Sequence, residues 1–112
     1  MEKLRIYQTA LDLIPGIYKL IRENKDLGKD WSLCDQIKRA SVSVISNIAE
    51  GYLRSTKQFK NYLQIASGSA NEVVAQLQVI TKVYNIRTDS LQESYKMLAR
   101  QIGAFSKRII SG

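Results

Sequence analysis

From Phe59 to Tyr84, apolar residues recur at steps of three and four: Phe59, Tyr62, Ala66, Ala70, Val73, Leu77, Ile80 and Tyr84. Only an α-helix returns side chains to one face at that spacing, and so regular a stripe is the seam along which helices pack. It persists for 26 residues, or about 39 Å of helix. A helix cannot cover its own stripe, so the rest of the chain has to supply partners. The rest reads as helix too, with no sustained period of two.

The first helix is predicted from about Leu4 to Glu23, with Tyr7, Leu11, Ile14, Tyr18 and Ile21 on one face and Ile6, Leu13, Ile17 and Leu20 widening it. Pro15 and Gly16 fall on the opposite, polar side, where a bend is expected but not a break. Asn24 to Trp31 is polar, contains Gly28 and reads as a loop. Ser32, with Asp35 three places on, opens the second helix in a weak capping box. That helix runs to Glu50, and Gly51 is suited to a left-handed C-terminal cap.

Ser55 and Gln58 form a better capping box for the third helix, which holds the seam. Asn85 to Thr88 make a short turn. Asp89 caps the fourth helix, predicted over 89–110, where Leu91, Leu98, Ile102, Phe105 and Ile109 form a narrow stripe. Four amphipathic helices with short connections predict an all-α chain: one antiparallel up-down four-helix bundle over residues 1–112.

The second helix is apolar over too wide an arc. Leu33, Ile37, Ala40, Val44 and Ile48 make a core stripe, and Val42, Ile45, Ala49 and Tyr52 extend it to roughly 200°. The first helix is similarly wide. An oligomer is therefore expected, with subunit contacts from Lys38, Val42, Ile45, Ala49 and Tyr52, and from Ile6, Leu13 and Leu20. Lys38 lies within the arc, where it can snorkel. The alternative is a tightly wrapped monomer with some exposed aliphatics.

Seventeen Lys and Arg against ten Asp and Glu give a formal charge of +7. That excess concentrates polyanions around the protein, although solubility alone also explains such a charge. Arg39, Arg54, Lys57, Lys60, Lys96, Arg100 and Lys107 are candidate phosphate contacts. A row of basic side chains is equally what a solvated helix face looks like. Arg39, Ser43, Glu50 and Arg54 form a row with Asn47 beside it, and Asn47, Glu50 and Arg54 are expected to fix the turn into the third helix. Tyr52, Tyr62 and Tyr95 can stack on bases, but tyrosines at apolar helix positions usually belong to the core.

Chemistry is sparse. The chain has no histidine, and its single cysteine, Cys34, reads as a partly buried, inert thiol. Glu50 and Glu72 are the only acids on the long helices with room to face inward, too few for a di-metal bundle site. There is no glycine-rich phosphate loop. No catalytic residues, metal, cofactor or small-molecule substrate are expected. No segment approaches the roughly 18 apolar residues of a membrane span. The N-terminal stretch, interrupted by Asp12, reads as mature protein, so a cytoplasmic location is expected.

Between Asp35 and Val73 the sequence stops being generic. Gln36-Ile37-x-Arg39-Ala40-x-Val42-Ser43-x-x-x-Asn47-Ile48-Ala49-Glu50-Gly51, followed by Arg54, Ser55, Phe59, Ala66, Ser69 and Glu72, resembles the four-helix bundle family of 23S rRNA intervening-sequence proteins, the so-called S23 ribosomal protein family. The chain departs from that pattern at Ile45-Ser46, where the family often has isoleucine-proline, and at Val73. The resemblance implies a bundle assembling into a homopentameric, barrel-like ring. It also implies kinship with the accessory variability determinant of diversity-generating retroelements, which joins a reverse transcriptase to nucleic acid. It supplies no catalytic residues.

The expectation is a non-enzymatic, basic, oligomeric adaptor that binds RNA or an RNA/DNA hybrid through phosphates. The alternative is a protein-interaction scaffold, such as a reverse-transcriptase accessory or ribosome-associated protein.

Overall fold

A computed structural model describes residues 1–109. They form five helices: α1 (Glu2–Glu23), α2 (Lys25–Lys29), α3 (Trp31–Tyr52), α4 (Thr56–Tyr84) and α5 (Asp89–Arg108), with no strand among the described residues. The expected helix end at 110 lies outside the described residues. The four long helices pack antiparallel in the cyclic order α1, α3, α4, α5, within a body of 50 × 21 × 18 Å.

Side-chain contacts fix the directions. Lys38 lies over Tyr18 and Lys3 over Tyr52, which sets α1 against α3. The Ser43 and Ser69 hydroxyls meet at 2.9 Å between α3 and α4. Ser67 donates to the Ala99 carbonyl at 2.9 Å, and Ser106 to the Lys60 carbonyl at 3.3 Å, between α4 and α5. Gly16 against Leu91 and Glu2 paired with Arg108 close the ring between α1 and α5.

The seam of α4 is the spine of the core, with Ala66, Ala70, Val73, Leu77 and Ile80 buried as its period predicts. Leu63 is buried where Tyr62 was expected, and Tyr62 is only half-buried. From α3, Ile37, Ala40, Val44 and Ile48 are buried, and from α5, Leu98 and Ile102. Each buried Leu or Ile contributes about 1.5–3 kcal/mol relative to exposure. Tyr95 is also fully buried, which removes it from any surface role. Its hydroxyl has no hydrogen-bond partner, and burial pushes the phenol well above its ordinary pKa.

α1 is rotated from expectation. Ile6, Ala10 and Ile17 are buried, while Leu11 and Tyr18 remain exposed. With apolar residues around so wide an arc, period alone leaves the inward direction open. Small Ala10 on the core side helps to decide it. Gly16 does not lie on a free polar side, because a Cβ there would come 2.9 Å from the Leu91 side chain. The helix passes Pro15 unbroken.

The predicted loop after Glu23 holds the short helix α2. Its single apolar residue, Leu27, is completely buried. Asn24 turns the chain, its side-chain amide donating to the Leu20 carbonyl at 2.8 Å and its own carbonyl accepting from Gly28 N at 2.9 Å. One apolar residue has no period, so this plug was invisible to pattern. The cap of α3 also moves: Asp30, not Ser32, accepts from Leu33 N at 3.2 Å, and Asp35 pairs instead with Arg39. Tyr84 donates to the other Asp30 oxygen at 2.7 Å, fastening the α2–α3 corner to the end of α4. Cys34 is buried beside it and donates to the Leu27 carbonyl, and burial raises its thiol pKa.

α4 begins as predicted, with Ser55 Oγ accepting from Gln58 N at 3.3 Å. It ends at Asn85, which adopts the left-handed conformation, φ 57°. Thr88, rather than Asp89, occupies the N-cap of α5, and its hydroxyl turns inward. There it donates to the Leu77 carbonyl, meets the Thr81 hydroxyl and accepts from Gln92.

Candidate nucleic-acid interface

Gly51 organises the end of the bundle where α3 meets α4. It is not the left-handed cap its position suggested: α3 runs through it to Tyr52, and Leu53 ends the helix at φ −92°. A Cβ on Gly51 would stand 2.7 Å from Tyr62 Cβ and 2.9 Å from Phe59, so the residue is glycine because the next helix passes against its backbone. Arg54 N donates to the Gly51 carbonyl at 3.0 Å, and Ser55 immediately caps α4.

Because α3 continues through Gly51, Glu50 and Arg54 face one another and form an ion pair. The carboxylate raises the guanidinium pKa further, and the guanidinium lies 5.8 Å from the Tyr62 ring centroid. Asn47 donates to the Ser43 carbonyl and hydroxyl, and Ser43 reaches Ser69 on α4. The row read from the sequence therefore does tie α3 to the following turn and helix. Glu50 and Glu72 are both exposed, so neither faces inward.

Four helix ends converge at this pole, and with them Lys3, Arg5, Arg54, Lys57, Lys60, Lys107 and Arg108. Among the described residues only Glu2 and Glu50 oppose them, Glu2 pairing with Arg108 and lying 3.8 Å from Arg5. No acidic residue lies in the first turn of α4, where acids are usual, so Lys57 and Lys60 have no local counter-charge. At the waist, Lys38, Arg39, Lys96 and Arg100 are equalled in number by Asp12, Asp35, Glu72 and Glu93, and Arg39 pairs with Asp35 and Lys96 with Glu93. At the far pole, Lys19, Arg22, Lys25, Lys29, Lys82 and Arg87 mingle with Glu23, Asp26, Asp30 and Asp89. Most of the formal +7 therefore resides at one end.

Of the sequence-derived phosphate candidates, the fold brings together Arg54, Lys57, Lys60 and Lys107. Arg39 lies at the waist, 2.8 Å from Asp35, and Lys96 lies 3.9 Å from Glu93. Arg100 is two turns back along α5 from Lys107. Lys3, Arg5 and Arg108 join the pole by topology, since α1 and α5 meet only in the folded chain.

A groove of about 330 Å³ opens beside this pole, lined by Met1, Lys3, Leu4, Tyr7, Ile48, Ala49, Tyr52 and Leu53. Lys3 Nζ stands 4.3 Å from the Tyr52 ring centroid. Tyr52 is 50% exposed and Leu53 86%. Further along the α1–α3 ridge, Leu11, Tyr18 and Val42 are exposed, and Lys38 Nζ lies 5.1 Å from the Tyr18 ring. Of the candidate subunit contacts, Val42, Ala49 and Tyr52 are exposed, while Lys38, Leu13, Leu20 and Ile45 are half-buried. Ile6 is only 1% exposed; it belongs to the core and cannot serve at a surface.

Among the described residues, no three His, Cys, Asp or Glu side chains gather where they could hold a metal ion. No helix among them is long and apolar enough to cross a membrane.

The sequence matches the family described as 23S rRNA-intervening sequence protein over residues 2–107, nearly the whole helical body. The chain belongs to that family. A solved structure agrees in fold: a protein with unknown function from the S23 ribosomal protein family of Bacteroides thetaiotaomicron, 22% identical. It superposes with a TM-score of 0.85, covering 96% of this chain and 99% of that one. A search of curated proteins finds no match. Within this 23S rRNA-intervening sequence fold, the basic pole and its groove are the features of this chain that single out one surface.

Proposed function

We propose that this intervening-sequence protein is a non-enzymatic adaptor that binds RNA, or an RNA/DNA hybrid, through phosphate contacts at the basic pole. The partition of charge carries the reading: waist cations are balanced, far-pole cations are diluted, and those around Lys57, Lys60 and Lys107 are not. Such a surface favours any polyanion and makes few base-specific contacts, so binding is salt-sensitive and sequence-tolerant.

The exposed waist ridge of Leu11, Tyr18 and Val42 supports self-association, for which the pentameric ring implied by the family resemblance is the proposed form. A ring multiplies one modest basic pole into an avid surface. Native mass by light scattering, with and without a short structured RNA at low and moderate salt, tests both parts. The expected result is a pentamer that gains RNA mass and loses it as salt rises. A pentamer indifferent to RNA would overturn the nucleic-acid reading and favour a scaffold for a protein such as a reverse transcriptase. A monomer would overturn the ring.

A further inference from the structure

We infer that the groove beside the basic pole holds one unpaired base, which narrows the proposed partners to single-stranded or looped RNA and leaves out a continuous duplex such as an RNA/DNA hybrid. This rests on the phosphate-binding reading and adds what the site selects.

The groove and the pole make different demands. Leu4, Tyr7, Ile48, Ala49 and Leu53 offer no charge to a phosphate, yet they open beside Lys3, and Leu53 directly precedes Arg54. A ligand that satisfies both has flat apolar groups strung on a chain of negative charge, which describes single-stranded nucleic acid. Lys3 already sits against the Tyr52 ring, while half of that residue stays exposed. A base stacking on the open part adds to the cation–ring contact without displacing it. At about 330 Å³ the groove lies near the low end of the roughly 300–1,000 Å³ typical of small-ligand sites, which suits one base.

Bases inside a duplex are stacked on their neighbours and cannot enter a pocket without being extruded. A second copy docked face to face on the groove would press two basic poles together, which charge opposes, and in the proposed ring the subunit contact is instead the waist ridge of Leu11, Tyr18 and Val42.

The test uses the full chain and short oligonucleotides of equal phosphate count: a single strand carrying 2-aminopurine, its abasic counterpart and a duplex. The intact single strand should bind roughly tenfold more tightly than the abasic strand, and its 2-aminopurine fluorescence should fall. Tyr52→Ala should remove that difference, and Tyr52→Phe, which keeps the ring, should retain it. Circular dichroism of Tyr52→Ala checks that the helices persist. Equal affinity for intact and abasic strands, or preference for the duplex, overturns the groove assignment and leaves the phosphate reading standing. No binding to any of the three overturns both. A native mass that falls to monomer on Tyr52→Ala shows that a second copy fills the groove, and this too overturns the assignment.

Discussion

The two poles of the bundle are built on opposite plans. At the far pole, polar side chains are used up internally: Tyr84 holds Asp30, Asp30 caps α3, Thr88 gathers Leu77, Thr81 and Gln92, and Leu27 plugs the interior. At the basic pole, the helices are drawn together by backbone proximity at Gly51, and several cations are left facing water. The difference shows where this fold keeps its internal fastening and where it leaves charge unspent. Fastening one end through buried and part-buried hydrogen bonds helps the fold to carry mutually repelling charges at the other.

The largest expected effect comes from exchanging the poles as targets. Lys57, Lys60 and Lys107 all changed to Gln should lower the logarithmic salt slope of single-strand binding by about 2, measured by fluorescence anisotropy across a salt series. The matched triple at the far pole, Lys25, Lys29 and Lys82 to Gln, should barely move it. Equal losses from both triples would erase the distinction between the poles.

Next in size is Gly51→Ala. Forcing a methyl against Phe59 and Tyr62 should cost about 1–3 kcal/mol in chemical denaturation, because backbone and Cβ atoms are in the way. A neutral result would mean that the α3–α4 junction yields easily and is not what holds the basic pole.

The far-pole fastening has a pH signature. Tyr84's hydroxyl, and then the Leu33 amide, lower the Asp30 pKa below its ordinary 3.8, and the same bond raises Tyr84 above 10.0. Asp30's contribution is present above 3.8 and lost as pH falls through its lowered folded value. Tyr84's contribution is present below 10.0 and lost as pH rises through its raised folded value. The Tm difference between wild type and Tyr84→Phe should thus be flat between these limits and shrink outside both. A difference that persists well below pH 3.8 would assign the effect to packing.

The smallest effect is a control away from both poles. Gly68 has nothing within 4 Å of a built Cβ, so Gly68→Ala should stabilise α4 by a little under ~1 kcal/mol. Two glycines in helices thus carry substitutions of opposite sign, and only the fold says which is which.

What the sequence disclosed follows from distance along the chain. The seam of α4 and the Ser55–Gln58 cap depend on neighbours three or four residues away, and both were legible. The Asp30 cap is just as local, its carboxylate reaching Leu33 N three residues on, but Ser32 with Asp35 offered a competing cap, and the Tyr84 bond that holds Asp30 in place comes from 54 residues away. Gly51 was recognised as special but for the wrong reason, since a cap and a close crossing both call for glycine. The site was half legible. Lys57 and Lys60 stood out beside Arg54, but Lys3 and Arg5 reach them only through the closure of α1 on α3 and α5. Arg39 and Lys96 looked like free cations because pairing with Asp35 and Glu93 depends on rotamers that spacing does not specify.

The pairing of Glu2 with Arg108 bears on how the chain can be rewired. The outermost helical turns of α1 and α5 stand side by side, so a short linker can join them without crossing the bundle. A circular permutant reopened between exposed Asn85 and Arg87 would carry its new termini at the opposite end. Fluorophores or surface tethers could then be attached there, away from the charged end and its groove.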